Sequence, residues 1–294
     1  MNYEIKSEFL KVTVASLGAE LISAIGADGF EYMWNNDNKD FWSGHAPVLF
    51  PACGRTLNNT YTYKGISYEM KSHGFAPKTE FTLVKKEEGY LKLSLKSNEE
   101  TKKNYPFDFE LIAEYKIEKS SLIVNFTVHN TGDEELPYMF GWHPAFALDS
   151  KGGSEIGDWS LDFDGNTSLI WHPLQNGCFV NPNGVKYELE PGKYFLNEKE
   201  IYDNNTMIFV GTGGHATLSC DNELHGLALS YSENLPYFCI WKEPSALARF
   251  ICLEPWSDVP SNGEEPEIYE TKKLSRLPIG KSEEYNYKVD FFVK

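Results

Sequence analysis

The sequence predicts an all-β protein, a large antiparallel β-sandwich in a single domain over residues 1–294, and three observations carry that expectation. Apolar and polar residues alternate with a period of two: Leu91, Leu93 and Leu95 interleave with Lys92, Ser94 and Lys96. Leu122, Val124, Phe126 and Val128 likewise interleave with Ile123, Asn125, Thr127 and His129. Successive strand side chains point to opposite faces, so each run buries one face and wets the other. Similar strands are expected at 9–15, 19–25, 79–85, 109–117, 206–210, 215–219, 227–231, 237–241, 249–253 and 285–293. Turn-forming clusters such as Asn130-Thr131-Gly132-Asp133 and Gly211-Thr212-Gly213-Gly214 separate them. Helical periodicity never persists for three turns, and the best short candidates are 36–42 and 269–274. Many closely spaced strands without βαβ alternation favour a sandwich over a doubly wound sheet or a TIM barrel.

No repeat, linker or low-complexity stretch divides the chain, and the acidic run Gly263-Glu264-Glu265-Pro266-Glu267 reads as a solvated loop. A length of 294 residues suffices for a sizeable core, and 41% hydrophobic with 15% aromatic content fits a folded chain. The formal charge of −16 argues against nucleic acid or an anionic membrane surface as partner, since both need a cationic face. Residues 1–15 lack the apolar core of a signal peptide, and no apolar run is long enough to cross a bilayer. The five scattered cysteines, Cys53, Cys178, Cys220, Cys239 and Cys252, contain no C-x-x-C pair. An odd, dispersed set reads as reduced, mostly buried thiols of a cytoplasmic protein, expected as a monomer or homodimer.

Four segments break the alternation by packing polar, aromatic and special-backbone residues together. They are Pro47-Val48-Leu49-Phe50-Pro51-Ala52-Cys53-Gly54-Arg55, Ser72-His73-Gly74-Phe75-Ala76, Gly141-Trp142-His143-Pro144-Ala145-Phe146 and Cys252-Leu253-Glu254-Pro255-Trp256. Each candidate has a plain alternative. His73 before a glycine and His143 before a proline are of residue types that often just satisfy a turn backbone. Trp142 and Trp256, singly, are more often core residues than sugar platforms. Glu254 is harder to dismiss: it follows Phe250-Ile251-Cys252-Leu253, and a carboxylate ending a buried strand is costly unless paired or used. Arg55 is a possible ion-pair partner for it. The sequence holds no G-x-S-x-G, Walker A, G-x-G-x-x-G or H-E-x-x-H motif. No cofactor is implied, and no H-x-H or Cys/His spacing implies a metal. His45, His129, His172, His215 and His225 read as ordinary surface or core histidines.

In this order, the four segments resemble the aldose 1-epimerase (galactose mutarotase) family, more narrowly its LacX-like branch. The similarity runs from Leu17-Gly18-Ala19-Glu20-Leu21 to Leu253-Glu254-Pro255-Trp256. It implies the supersandwich fold, in agreement with the strand pattern, and a cofactor-free interconversion of the α and β anomers of an aldose. By motif, the resemblance puts the family's first histidine on His73 and its general acid on His143. It puts the general base on Glu254 and a substrate-contacting arginine on Arg55. Two positions depart from it: His73-Gly74-Phe75-Ala76 is followed by Pro77 where relatives commonly carry arginine. The strand start Asn204-Asn205-Thr206-Met207 has Asn205 where an acidic residue is common. The expected site is therefore His143, Glu254 and His73 as catalytic groups, with Arg55, Trp142, Trp256 and Asn205 against the sugar.

Mutarotation removes a proton from the anomeric hydroxyl and delivers one to the ring oxygen, so it needs a base and an acid. Glu254 ionised and His143 protonated, on opposite sides of the sugar, fit those roles. They imply a bell-shaped pH profile, its acid limb set by Glu254 and its alkaline limb by His143. With Arg55 the single cation in a pocket motif, a neutral hexose is favoured over a hexose 6-phosphate. Lys71, Lys78 or Lys242 beside the cleft would reverse that preference. Two other readings stay open: a sugar-binding or sugar-sensing protein without catalysis, and a glycosidase pairing Glu254 with Asp203 or Asp258.

Overall fold

The computed structural model describes residues 1–35, 41–149, 151–175, 179–189, 192–245, 248–263 and 267–294. Alternation is translated directly into burial. Along Ser121–Asn130 every second residue is buried, and Leu91, Leu93 and Leu95 face inward from Tyr90–Lys96. Each such leucine, valine or phenylalanine contributes roughly 1.5–3 kcal/mol on leaving water. That inward set is what fixes strand register.

Among the described residues two large sheets form, and every ladder in them is antiparallel. One runs Lys193–Phe195, Trp159–Asp162, His215–Cys220, His225–Tyr231, Ser282–Val293, Ser121–Asn130, Phe109–Glu118, Tyr90–Lys96, Thr82–Glu87. The other runs Val185–Glu188, Ser168–Trp171, Met207–Val210, Tyr237–Trp241, Phe250–Trp256, Gly141–Trp142, Val48–Leu49, with Ala145–Ala147 also pairing to Phe250–Trp256. The sheets meet through large side chains: Trp142 of the second packs against Phe126 and Tyr287 of the first. The Tyr287 hydroxyl donates to the Pro255 carbonyl at 3.2 Å. A smaller sheet, Asn2–Lys6, Leu10–Ala15 and Leu21–Gly26, joins the same apolar cluster, which extends from Ile5 to Phe291.

The expected strands are present, with ends displaced by a few residues. The expected strand at 79–85 begins only at Thr82, because Ala76–Lys78 forms a short 3-10 turn ending at Thr79. The helix expectations are not met. Residues 36–40 lie outside the described residues, and Phe41 and Trp42 are not helical. Residues 269–274 make a single turn, anchored where Tyr269 stacks on Tyr61 with ring centroids 3.8 Å apart. Helices form instead at Glu99–Asn104 and Glu198–Asn204, where Asn98 and Asn197 accept backbone N–H groups of the first turn. Residues 264–266 of the acidic run are outside the described residues. Glu267 at its end is not solvated: it is buried and paired with Lys272.

Candidate active site

The strand Phe250–Trp256 is buried along its whole length. Its odd-numbered members Ile251 and Leu253 enter the core between the sheets. Its even-numbered members Phe250 and Cys252 pack instead with Ala145 and Ala248, under Trp34, Phe41, Trp42 and Trp241. Glu254 and Trp256 share that second face by parity. Antiparallel pairing sets Cys239 opposite Glu254 and Ile208 opposite Cys239, so the row Ile208, Cys239, Glu254 crosses three strands on the cleft side. On the other flank Gly141 pairs with Trp256. A Cβ at Gly141 would lie 2.5 Å from Trp256 Cδ1, so only glycine lets the indole lie across that strand. One residue on, Trp142 turns into the core, and two on, His143 returns to the cleft.

The result is a cleft of about 270 Å³ lined by Trp42, Arg55, His73, His143, Asn205, Trp241, Glu254 and Trp256, among others. That lies near the lower end of small-ligand pockets, roughly 300–1,000 Å³. His143 Nε2 stands 3.2 Å from Glu254 Oε2, at ion-pair distance but without hydrogen-bond alignment. Both Glu254 oxygens and His143 Nδ1 are buried without a hydrogen-bond partner among the described residues. Burial pushes the Glu254 carboxyl well above the usual carboxylate range. Burial, and then the neighbouring His73, push the His143 imidazole well below its usual value.

His73 closes one side. Its backbone sits in the left-handed region at φ 65°, and Gly74 follows at φ 73°, where a Cβ would lie 2.2 Å from the Phe50 carbonyl oxygen. The Gly54 N–H donates to His73 Nδ1 at 3.3 Å, while the His73 N–H donates to the Gly54 carbonyl at 2.9 Å. A backbone N–H can only donate, so Nδ1 is the acceptor and the proton of the neutral ring is on Nε2. Burial, then the charge of Arg55, lower its pKa to about 4. The His73 ring meets His143 edge-on at 5.5 Å, and Trp42 stacks on His143 at 5.0 Å.

His73, His143, Glu254, Arg55, Asn205 and Trp256 thus converge, although the sequence positions span 200 residues. Trp142 does not. It is fully buried between the sheets and donates from Nε1 to the Ala46 carbonyl at 3.2 Å. The alternation that places His143 in the cleft requires Trp142 to face the other way. Sequence reasoning missed Trp42 and Trp241 as the aromatic wall. Trp241 was recoverable, since it shares a strand face with Cys239; Trp42 carried no periodic signal. Burial disfavours the charged form of each member, against the expectation of Glu254 ionised and His143 protonated at rest.

Lys242 is held by Glu198, the Glu243 carbonyl and the Ser245 carbonyl, and neither it, Lys71 nor Lys78 lines the cleft. Asp203 pairs with Lys199, and Asp258 accepts from Ser257 and Ser275, so neither partners Glu254. Arg55 is exposed and forms no ion pair with Glu254. Ligand atoms of His143, Cys252 and Glu254 all lie within 4.8 Å of one another. Cys53, Cys220, Cys239 and Cys252 are free and buried, while Cys178 lies outside the described residues. No helix among the described residues is long and apolar enough to cross a membrane. A larger groove of about 450 Å³ beyond Pro260 holds carboxylates that are already bonded, Asp258 as above and Glu267 by Lys272.

Two antiparallel sheets, with an unsatisfied carboxyl and imidazole at the floor of a tryptophan-walled cleft, define the class as a β-sandwich with a polar cleft on one sheet. The aldose 1-epimerase family model matches residues 1–262, and the chain belongs to that family. The chromosomal and plasmid LacX proteins of Lactococcus lactis subsp. lactis are each 31% identical over 289 residues, covering 92% of this chain and 93% of theirs. A galactose mutarotase related enzyme from Lactobacillus acidophilus superposes at a TM-score of 0.92, with 28% identity and full coverage of both chains. A galactose mutarotase-like protein from Lactobacillus casei gives 0.90 at 29% identity, covering 99% of this chain and 100% of that one.

Proposed function

We propose that the chain is a mutarotase, interconverting the α and β anomers of a neutral hexose, and that its 294 residues work as one domain in the cytoplasm. The observation that carries the reading is the Glu254 carboxyl, buried with both oxygens unsatisfied and 3.2 Å from His143 Nε2. Such an unsatisfied buried group costs roughly 1–3 kcal/mol of stability, and a purely structural pair would be hydrogen-bonded. The buried free thiols support a reducing compartment.

The pair holds one proton. In the empty cleft, burial favours the neutral form of each partner. When sugar hydroxyls donate to the Glu254 oxygens, the carboxylate is favoured and the proton passes to His143. Glu254 then takes the proton of the anomeric hydroxyl while His143 gives its own to the ring oxygen. The bond between the anomeric carbon and the ring oxygen breaks, and an aldehyde forms. Both oxygens are bonded to the anomeric carbon, which is why acid and base are neighbours. After rotation of the aldehyde, ring closure runs the transfers backwards and restores the pair. His73, a neutral Nε2–H donor, stabilises the oxygen where charge develops, and Arg55 donates to ring hydroxyls.

Arg55 is the single cation among the described residues lining the cleft, which supports a neutral substrate over a phosphorylated one. Exchange spectroscopy on matched free and 6-phosphorylated hexoses tests both parts. Rapid anomer exchange of a free hexose is expected. Uncatalysed rates for every aldose would leave only a binding protein, and a phosphorylated preference lost in Arg55→Ala would reverse the substrate assignment.

A further inference from the structure

We infer that His143, Cys252 and Glu254 form a binding site for a thiophilic divalent ion of the zinc type, whose occupancy silences the acid–base pair. Imidazole nitrogen, thiolate sulfur and carboxylate oxygen are the three donor types zinc takes, at roughly 2.0–2.3 Å. Around such an ion, donors sit roughly 3.5 Å apart. The three donors here already lie within 4.8 Å of one another, so each has to close only a short distance. Cys252 and Glu254 are two residues apart on one strand and share a face, while His143 is held from the side by its N–H bond to the Pro47 carbonyl at 3.0 Å. Among the described residues the Glu254 oxygens have no competing hydrogen bonds to give up.

The charge also fits. On binding, the ion exchanges waters for the three side chains, the thiol proton leaves to solvent, and so does the proton held by the pair. A divalent cation with one thiolate and one carboxylate is neutral, a combination a buried site accepts. Cys252 plays no part in the proposed proton transfers and does not line the cleft, so it is the ligand that separates metal binding from catalysis. The silencing rests on the acid–base assignment above; the binding does not.

The full chain, freed of metal, is titrated with cobalt(II) and read by absorption, then with zinc against a chromophoric chelator. Tetrahedral d–d bands with a thiolate charge-transfer band are expected in the parent chain and in Cys239→Ala, and are expected to be absent in Cys252→Ala. In parallel, zinc is expected to suppress anomer exchange in the parent chain, and a chelator to restore it. Cys252→Ala is expected to keep its basal rate while losing at least about 10-fold in zinc sensitivity, equivalent to about 1.4 kcal/mol. Cys252→Ser preserves the side-chain size should the alanine variant fold poorly. The absence of a thiolate band, or equal zinc sensitivity with and without the thiol, overturns the site. A chain inactive on every sugar but showing the band keeps the site and removes only the mutarotase reading.

Discussion

His143 and His225 are both buried, at 8% and 5% exposure, and stand on opposite sides of the question of function. His225 is saturated: Nδ1 meets Asp149 and Nε2 meets Asp28, each at 2.6 Å, and its ring stacks on Phe30 at 3.8 Å. It ties the Asp28 turn to the strand His225–Tyr231 and is a structural clasp. His143 has an unpartnered Nδ1 and an Nε2 near a carboxyl that it does not properly bond. Burial is common to the two. What separates them is satisfaction: the fold completes one histidine and leaves the other for something that arrives.

The largest expected effect is on the unsatisfied side. Glu254→Gln removes the proposed base without changing its shape, and kcat for anomer exchange is expected to fall by at least about 10²-fold. The thermal midpoint should hold or rise, because a buried carboxyl is gone. A variant that unfolds but turns over normally when folded would assign Glu254 to structure. His143→Asn is expected to lose about 10²-fold in rate with sugar binding largely kept. Calorimetric titration with the sugar separates lost binding from lost chemistry.

On the saturated side the expected pattern inverts. His225→Ala leaves Asp149 buried opposite Asp28, and the chain should lose about 3 kcal/mol of stability in a urea titration. Exchange per folded molecule should be unchanged; a specific loss of rate would erase the distinction between the two histidines. The hydrogen bond from His225, ahead of other contributions, holds the Asp28 carboxyl below its ordinary value of 3.8. Asp28 therefore stabilises the fold above that value, and its contribution is lost only as the pH falls through the lowered one.

A smaller effect concerns pH in the cleft. The proposed pair is competent while it holds one proton, so activity should plateau between the two steps. Burial lowers His143, so the acid limb, where a second proton is taken up, lies below the usual imidazole value. Burial raises Glu254, so the alkaline limb, where the last proton leaves, lies above the usual carboxylate value. The two limbs thus exchange owners relative to the sequence expectation, and belong to the pair as macroscopic steps. His73, at about 4, should show no NMR titration above about pH 5. An unfolded chain takes up that proton near 6.5, so His73 weakens the fold as pH falls from there towards 4. The smallest effect is expected for Arg55→Ala, an increase in KM for a free hexose of less than about 10-fold with kcat nearly kept.

Strand location, the all-β class and the family motifs were determined by the sequence itself, for a physical reason. Which face a side chain takes is a local, period-two property, as Leu122, Val124, Phe126 and Val128 demonstrate. The same rule accounts for Trp142 in the core and His143 in the cleft, although the sequence expectation had placed both against the sugar. Only the tertiary structure decided what meets what. Cys239 faces Glu254 through strand pairing, Trp42 reaches His143 from a segment without periodicity, and Asp28 and Asp149 meet His225 from distant turns. The same holds for charge: Glu254 and His143 have ordinary proton affinities as residue types, and only their joint exclusion from water shifts the two towards each other. Desolvation is a property of everything packed around a group, and no run of neighbours along the chain encodes it.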